Sequence, residues 1–265
     1  MVMKRLIYQV YVGKPSRLYD HCIQSVRDYC DRHIIDHVIQ RTPILKIKPD
    51  VFCTNRSKES YEKHGGFLPI FEKENAFEYF SEYEQIAVVD ADIYIRPTAP
   101  SIFKDIEWET DFAGVVEREM PITENYAKKI INYSRMQYGH LHNNKLDFKP
   151  NELGLEFYNM GLMVMQQSIM KYFKENETPR DFIMRPEFKD FVDGQGAWKW
   201  STDQTLLNTW VRKEKMKQQH LDWRWNALFR GVRDDKLSEA YFIHFFLKDL
   251  LPEKGENVEE LMRLI

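Results

Sequence analysis

A single α/β domain is the fold class this sequence predicts, on three observations. Arg5–Val12 alternates and is β-rich, and an amphipathic helical stretch follows it directly, the opening move of an α/β fold. Apolar runs of strand length then recur between helical and loop-like segments as far as residue 247. The composition, 43% hydrophobic and 14% aromatic over 265 residues, supports a sizeable core. No internal repeat, low-complexity tract or linker divides the chain, so one domain spans 1–265.

The elements follow in order. Gly13-Lys14-Pro15 stops the first strand, and Ser16 can cap a helix with Leu18, Cys22, Val26 and Tyr29 on one face. His37–Ile47 and Pro49–Thr54 predict strands, and Phe67–Ile70 a short one. Lys73–Tyr83 reads as an amphipathic helix through Ala76, Phe77 and Phe80. Ile86–Ile95 is a buried strand that Pro97 and Pro100 close, and Asp111–Glu117 is another. Residues 118–155 are polar and aromatic with few periodic stretches. Leu155–Met165 returns to strand character, with a helix near Ile169–Lys174. Residues 176–200 carry Pro179, Pro186, Gly194 and Gly196 and read as loop. Thr202–Val211 predicts a helix with Leu206, Leu207 and Trp210 inward. Ala240–Leu247 is an apolar strand with one histidine, and a polar helix ends the chain.

Bulk properties narrow the function. A net charge of −3 supplies no broad positive field for nucleic acid. No apolar run approaches the roughly 18–20 residues that span a bilayer. The stretch Met1–Tyr8 is too short and mixed for a signal-peptide core. Three cysteines, Cys22, Cys30 and Cys53, have no metal-type spacing and an odd count, so a reducing, cytoplasmic setting is expected.

The chemistry starts at Val89-Asp90-Ala91-Asp92. An unpaired carboxylate in an apolar strand costs several kcal/mol or more, so both must emerge at the strand end to meet a cation or a basic side chain. On one side of an extended strand they stand about 6–7 Å apart and can converge on one hard cation. The alternative is a solvated strand end paired with Arg96. His244 alone reads as a satisfied core histidine. With two carboxylates and diphosphate oxygens it completes a mixed oxygen and nitrogen donor set that suits Mn²⁺ better than Mg²⁺. Asp203 and Gln204 open a helix, where an acidic group complements the macrodipole or a carboxylate and an amide face a cleft. In Tyr158-Asn159-Met160-Gly161, Gly161 permits close approach to the backbone and Asn159 offers a donor and an acceptor, although a bulge alone would explain them.

In order, the N-terminal strand and helix, Val-Val-Asp90-Ala91-Asp92, Tyr158-Asn159-Met160-Gly161, Asp203-Gln204-Thr-Leu-Leu207-Asn208 and Ile243-His244-Phe245 resemble the GT-A fold nucleotide-sugar glycosyltransferases. The likeness is greatest to the retaining enzymes of glycosyltransferase family 8, over roughly residues 5–247. It implies a Rossmann-like, mixed and mostly parallel sheet flanked by helices, with a nucleotide-binding half at 1–116 and an acceptor-binding half at 117–265. It implies that Asp90, Asp92 and His244 bind Mn²⁺ (or Mg²⁺), with Asp90 and Ala91 also near the donor. Tyr11, Val12 and Gly13 become base-side residues, and Lys73, Gly161 and Lys248 lie near the donor. Asn159, Asp203 and Gln204 would line the cleft for the sugar of a UDP-type donor and a carbohydrate acceptor. The family's Ile-His-Phe leads into glycine and then Lys-Pro-Trp, whereas Phe246-Leu247-Lys248-Asp249 follows here, so Lys248 is displaced. The first strand also lacks an acidic partner for the base.

Two rival readings share some of these residues. A haloacid-dehalogenase-type phosphatase uses Asp-x-Asp after a strand, and Asp234-Asp235 could serve as its later acidic pair. That family needs the motif near the start of its core with Thr or Val two places on, where this chain has Tyr94. The other is a non-catalytic carbohydrate-binding protein on a transferase fold. The Tyr, Trp and Asn residues of 118–155 and 176–200 suit an acceptor sugar in either case.

Overall fold

A computed structural model of the protein describes residues 3–54 and 58–265. Met1 and Val2, part of the stretch read for a leader, lie outside them. The central sheet uses β1 (Arg5–Val10), β2 (Asp36–Gln40), β3 (Gln85–Val89), β5 (Phe112–Val116), β6 (Tyr158–Gln166) and β7 (Gln218–His220), in the order β2-β1-β3-β6-β5-β7. Only β6 runs against its neighbours, so the sheet is mixed and mostly parallel. A smaller sheet holds β4 (Ile93–Ile95), β8 (Ala227–Leu228) and β9 (Phe242–His244), with β9 at its centre.

Alternation explains why the strands sit where they do. Leu6, Tyr8, Ile86 and Val88 face one core, with Phe77, Phe182 and Trp210 packed over them. Ile7, Ala87 and Val89 face the other, against α1 (Arg17–His33). Strands apolar on both faces are what a sheet covered on both sides requires. Along α1, Leu18, Cys22, Val26 and Tyr29 are buried as the spacing predicts. Ser16 stands at its N-cap position without making a side-chain cap bond.

Several expectations are corrected. Pro49–Thr54 and Phe67–Ile70 form no strand, and β2 stops at Gln40. The stretch expected as an amphipathic helix is a run of 3-10 turns, Pro69–Ser81, that buries charged Glu72, Lys73 and Glu74 as well as Phe77 and Phe80. Residues 118–155 contain α2 (Glu124–Asn143), capped by Thr123. The 176–200 segment holds two short helices, Pro179–Ile183 and Lys189–Asp193, and its Phe182, Phe188 and Phe191 are buried. These phenylalanines pack the core, and Trp198, one of the tryptophans expected at an acceptor, is buried with them. The expected helix near 202–211 is α3 (Asp203–Lys213) and the terminal one is α4 (Val258–Arg263). Among the described residues, no helix is long and apolar enough to cross a membrane.

Candidate active site

The Asp-x-Asp sits in a turn, not on a continuous strand. β3 ends at Val89 in the large sheet and β4 begins at Ile93 in the small one, so Asp90, Ala91 and Asp92 cross between sheets. The turn, rather than strand alternation, brings the carboxylates together. β9 pairs antiparallel with β4, placing His244 opposite Ile93, and the Phe245 amide donates to the Asp92 carbonyl at 2.9 Å. His244 Nε2 thereby stands 3.3 Å from Asp92 Oδ1 and 3.8 Å from Asp90 Oδ2. Cis positions around a cation with bonds near 2.1 Å are about 3 Å apart, so these three groups fit a small divalent ion. Burial holds the His244 ring toward neutrality, but Asp92 and Asp90 outweigh it and raise its pKa. Burial also raises the Asp90 carboxyl, against the pull of Lys73 and with the like charge of Asp92. Two carboxylates and an imidazole nitrogen turned toward one point are a mixed oxygen and nitrogen donor set that suits a divalent cation.

A bulge in β6 shapes the other wall. Its pairing with β5 jumps from Gly114–Met163 to Val115–Asn159, so Met160, Gly161 and Leu162 leave that ladder. Two of their carbonyls serve the site. Gly161 O accepts from the Asp90 amide at 2.8 Å, and Met160 O accepts from Lys73 Nζ at 2.9 Å. Lys73 also meets Asp90 Oδ1 at 2.9 Å and Asp203 Oδ2 at 2.6 Å. Burial disfavours its charge, yet the two carboxylates overcome this and raise its pKa, so it stays an ammonium. Lys73, not Arg96, is the basic partner of the motif; Arg96 donates to the Leu237 carbonyl.

Two cavities are lined by residues of these elements. One of about 260 Å³ is lined by Tyr11, Val12, Tyr19, Lys73 and Asp90 to Asp92. The Arg41 guanidinium lies 4.4 Å above the Tyr11 ring there. Gly13 follows with φ +143° and is not part of the lining. Lys248 Nζ stands 3.5 Å from the centre of the Tyr19 ring, behind that wall. The second cavity, about 220 Å³, is lined by Glu117, Tyr126, Lys129, Tyr133, Asn159 and Gln204, among others. Gln204 Oε1 accepts from the Met160 amide at 3.3 Å, and its Nε2 donates to Tyr133 Oη at 3.3 Å. Asp203 is 2% exposed, turned to Lys73, and lines neither cavity.

Sequence reasoning missed Glu117 and Asn226. Glu117 accepts from Tyr126 Oη at 2.5 Å and from Asn159 Nδ2 at 2.8 Å. Its position at a strand end gave the same signal as Asp90, without a second carboxylate to single it out. Asn226 sits in an aromatic stretch that gives no functional signal. A second group, Glu119, Glu156 and His220, also has ligand-type atoms close together. There Glu156 lies 3.6 Å from Arg118 and 3.4 Å from Arg212, so its charge is already met. Asp234 and Asp235, the acidic pair of the phosphatase reading, are exposed and face Arg230 and Arg233.

No family model and no characterised protein sequence matches the chain. Solved structures do. Mouse xyloside xylosyltransferase 1, in its apo form, superposes with a TM-score of 0.51 at 13% identity, over 95% of this chain and 100% of that one. The galactosyltransferase LgtC, in complex with donor and acceptor sugar analogues, gives 0.51 at 12% identity, over 98% and 94%. The bifunctional glycosyltransferase WbbM gives 0.52 at 11%, over 93% of this chain and 46% of that one. At such identities the likeness is one of fold: this chain has the GT-A glycosyltransferase fold, the fold its motifs predicted.

Proposed function

We propose that the protein transfers a sugar from a nucleotide diphosphate sugar, UDP-linked, to a hydroxyl of a carbohydrate-type acceptor, with retention of configuration. The observation that carries this reading is the convergence of Asp90, Asp92 and His244 at the edge of a cavity that both carboxylates line. The UDP base and the retained configuration rest on the resemblance to family 8. A Mn²⁺ or Mg²⁺ held by these three residues would offset charge growing on the departing diphosphate.

The chain's own residues divide the remaining work. Tyr11 and Val12, with Ala91, form the base and ribose side, in the half 1–116, and Gly13 follows outside the lining. Lys73 brings a fixed positive charge to the edge of that cavity, where phosphate oxygens would meet it. The half 117–265 supplies Asn159, Gln204 and Glu117 to hydroxyls in the second cavity. Asp203 holds the Lys73 ammonium in place together with Asp90, and Gly161 leaves room for the His244 ring. Lys248 contributes charge from behind Tyr19. In the step, a bond forms between the acceptor oxygen and the anomeric carbon while the bond from that carbon to the phosphate oxygen breaks. The hydroxyl proton leaves on the departing phosphate oxygen. Asp203 is engaged with Lys73, and Glu117 with Tyr126 and Asn159. Those engagements support same-face attack over a covalent carboxylate–sugar intermediate.

Thermal shift with a panel of nucleoside diphosphates, with and without Mn²⁺, tests the reading. UDP with Mn²⁺ is expected to raise the melting temperature, and a chelator to reverse the gain. Asp92→Ala is expected to abolish metal-dependent turnover of a sugar nucleotide, and full activity in that variant would refute the assignment. Binding without turnover across donors and acceptors would favour a non-catalytic carbohydrate-binding role.

A further inference from the structure

One chain of hydrogen bonds runs through the protein from the second cavity to the imidazole of His244, and its polarity is forced from one end. Glu117 is the start. Its carboxylate accepts, so Asn159 must turn its amide nitrogen toward it, at 2.8 Å. The Asn159 oxygen then faces the other way and accepts from the Gly161 amide at 3.0 Å, a backbone N–H that can only donate. The same oxygen accepts from Asn226 Nδ2 at 3.0 Å. With its nitrogen committed there, Asn226 can offer His244 only its oxygen, which stands 3.2 Å from Nδ1. Nδ1 must therefore carry a proton, so a cation that replaces any proton on Nε2 finds the lone pair of that nitrogen. That nitrogen faces Asp92 and Asp90.

We infer that Asn226 is a positioning residue, holding His244 in the tautomer and orientation that a divalent cation at Asp90 and Asp92 requires. The inference rests on the metal-binding reading above and goes beyond it, since Asn226 touches neither cavity nor the carboxylates. Every member of the relay is buried: Asn226 is 0% exposed, His244 4%, Glu117 6% and Asn159 7%. Burial matters because water cannot substitute for a missing partner, and an imidazole N–H left unpaired there would be costly. A ring free to choose would place its proton on Nε2 as readily and present no lone pair to the cation. Outer partners of this kind set both ring orientation and ligand basicity at metal sites.

Two measurements test it. In wild-type protein labelled with ¹⁵N-histidine and free of metal, Nδ1 of His244 is expected to carry a proton throughout the pH range in which the chain is folded; a neutral ring protonated only on Nε2 would overturn the inference. Mn²⁺ affinity, read from the free-ion electron paramagnetic resonance signal, is expected to fall about tenfold or more in Asn226→Leu. Wild-type affinity in a folded Asn226→Leu variant would overturn the positioning role and leave the metal reading standing. No Mn²⁺ binding by the wild-type chain would remove the metal reading and this inference together. The ¹⁵N measurement needs no substitution and so does not depend on the variant folding.

Discussion

Gly161→Ala isolates the geometry of the proposed site from its chemistry. The glycine does not occupy the left-handed region, so alanine meets no backbone objection. The obstacle is space: a Cβ there would lie 2.2 Å from Cε1 and 2.4 Å from Nδ1 of His244, and 3.0 Å from Asn159 Oδ1. Ordinary contact begins near 3.4 Å, so the ring must retreat by roughly 1 Å. His244 is 4% exposed and flanked by Asn226 and Phe246, which leaves little room to yield. Retreat draws Nε2 away from Asp92 and Nδ1 away from Asn226. A displacement of about 1 Å at a reacting centre can cost on the order of 10²-fold in rate. The expected result is a loss of Mn²⁺ affinity of about tenfold or more and of turnover by about 10²-fold, with a native circular dichroism spectrum. A folded Gly161→Ala protein that binds Mn²⁺ and turns over within threefold of wild type would refute the reasoning.

Three further predictions concern the surrounding charges. Lys73→Met leaves Asp90 and Asp203 facing each other with no cation between them, and should cost about 3–5 kcal/mol in urea unfolding; an unchanged midpoint would show that Lys73 is not their partner. Glu74 has both oxygens sealed from solvent without a hydrogen-bond partner among the described residues. Burial first, and then Asp203, raises its carboxyl well above 4.5. Its contribution is therefore intact below that pH and is lost as pH rises, so Glu74→Gln should be more stable than wild type at pH 8 and should flatten the alkaline slope. Burial, with Arg27 nearby, lowers His37 from 6.5 to about 4, and its Nε2–H donates to Gln9 Oε1 at 2.9 Å. A depressed histidine favours folding above pH 6.5 and weakens it as pH falls toward 4, by at most about 3 kcal/mol. His37→Gln should remove that acid sensitivity in urea unfolding measured at pH 4 and pH 7, and an unchanged difference would contradict it.

The strands were legible in the sequence because Ile86–Val89 and the run through Val164 are apolar on both faces, which few structures other than a covered sheet allow. The Asp-x-Asp and His244 were legible because charge and imidazole interrupt such runs, and the structure brings them together. Helix α2 was not. Its buried stripe, Tyr126, Ile130, Ser134, Gln137 and Tyr138, has helical spacing but includes two polar residues. Gln137 is fully buried because Ser201, Thr205 and the Ala197 carbonyl satisfy its amide, and those partners lie some 60 residues away. Periodicity cannot see partners that the fold supplies. The 3-10 run misled for the same reason. Glu72 is buried there because the amides of Ile44, Leu45 and Lys46 all donate to it. Asn226 needed both sheets in view before its role could be stated.

The turn between the two sheets has a mechanical consequence. Asp90 and Asp92 belong to the early part of the chain and His244 to its end, so an ion gripped by all three would act as a clasp between two distant parts of the chain. Cation binding would then favour the docked arrangement of the C-terminal strand by mass action. Limited proteolysis after chelation should accordingly release fragments from the C-terminal end before the central sheet gives way.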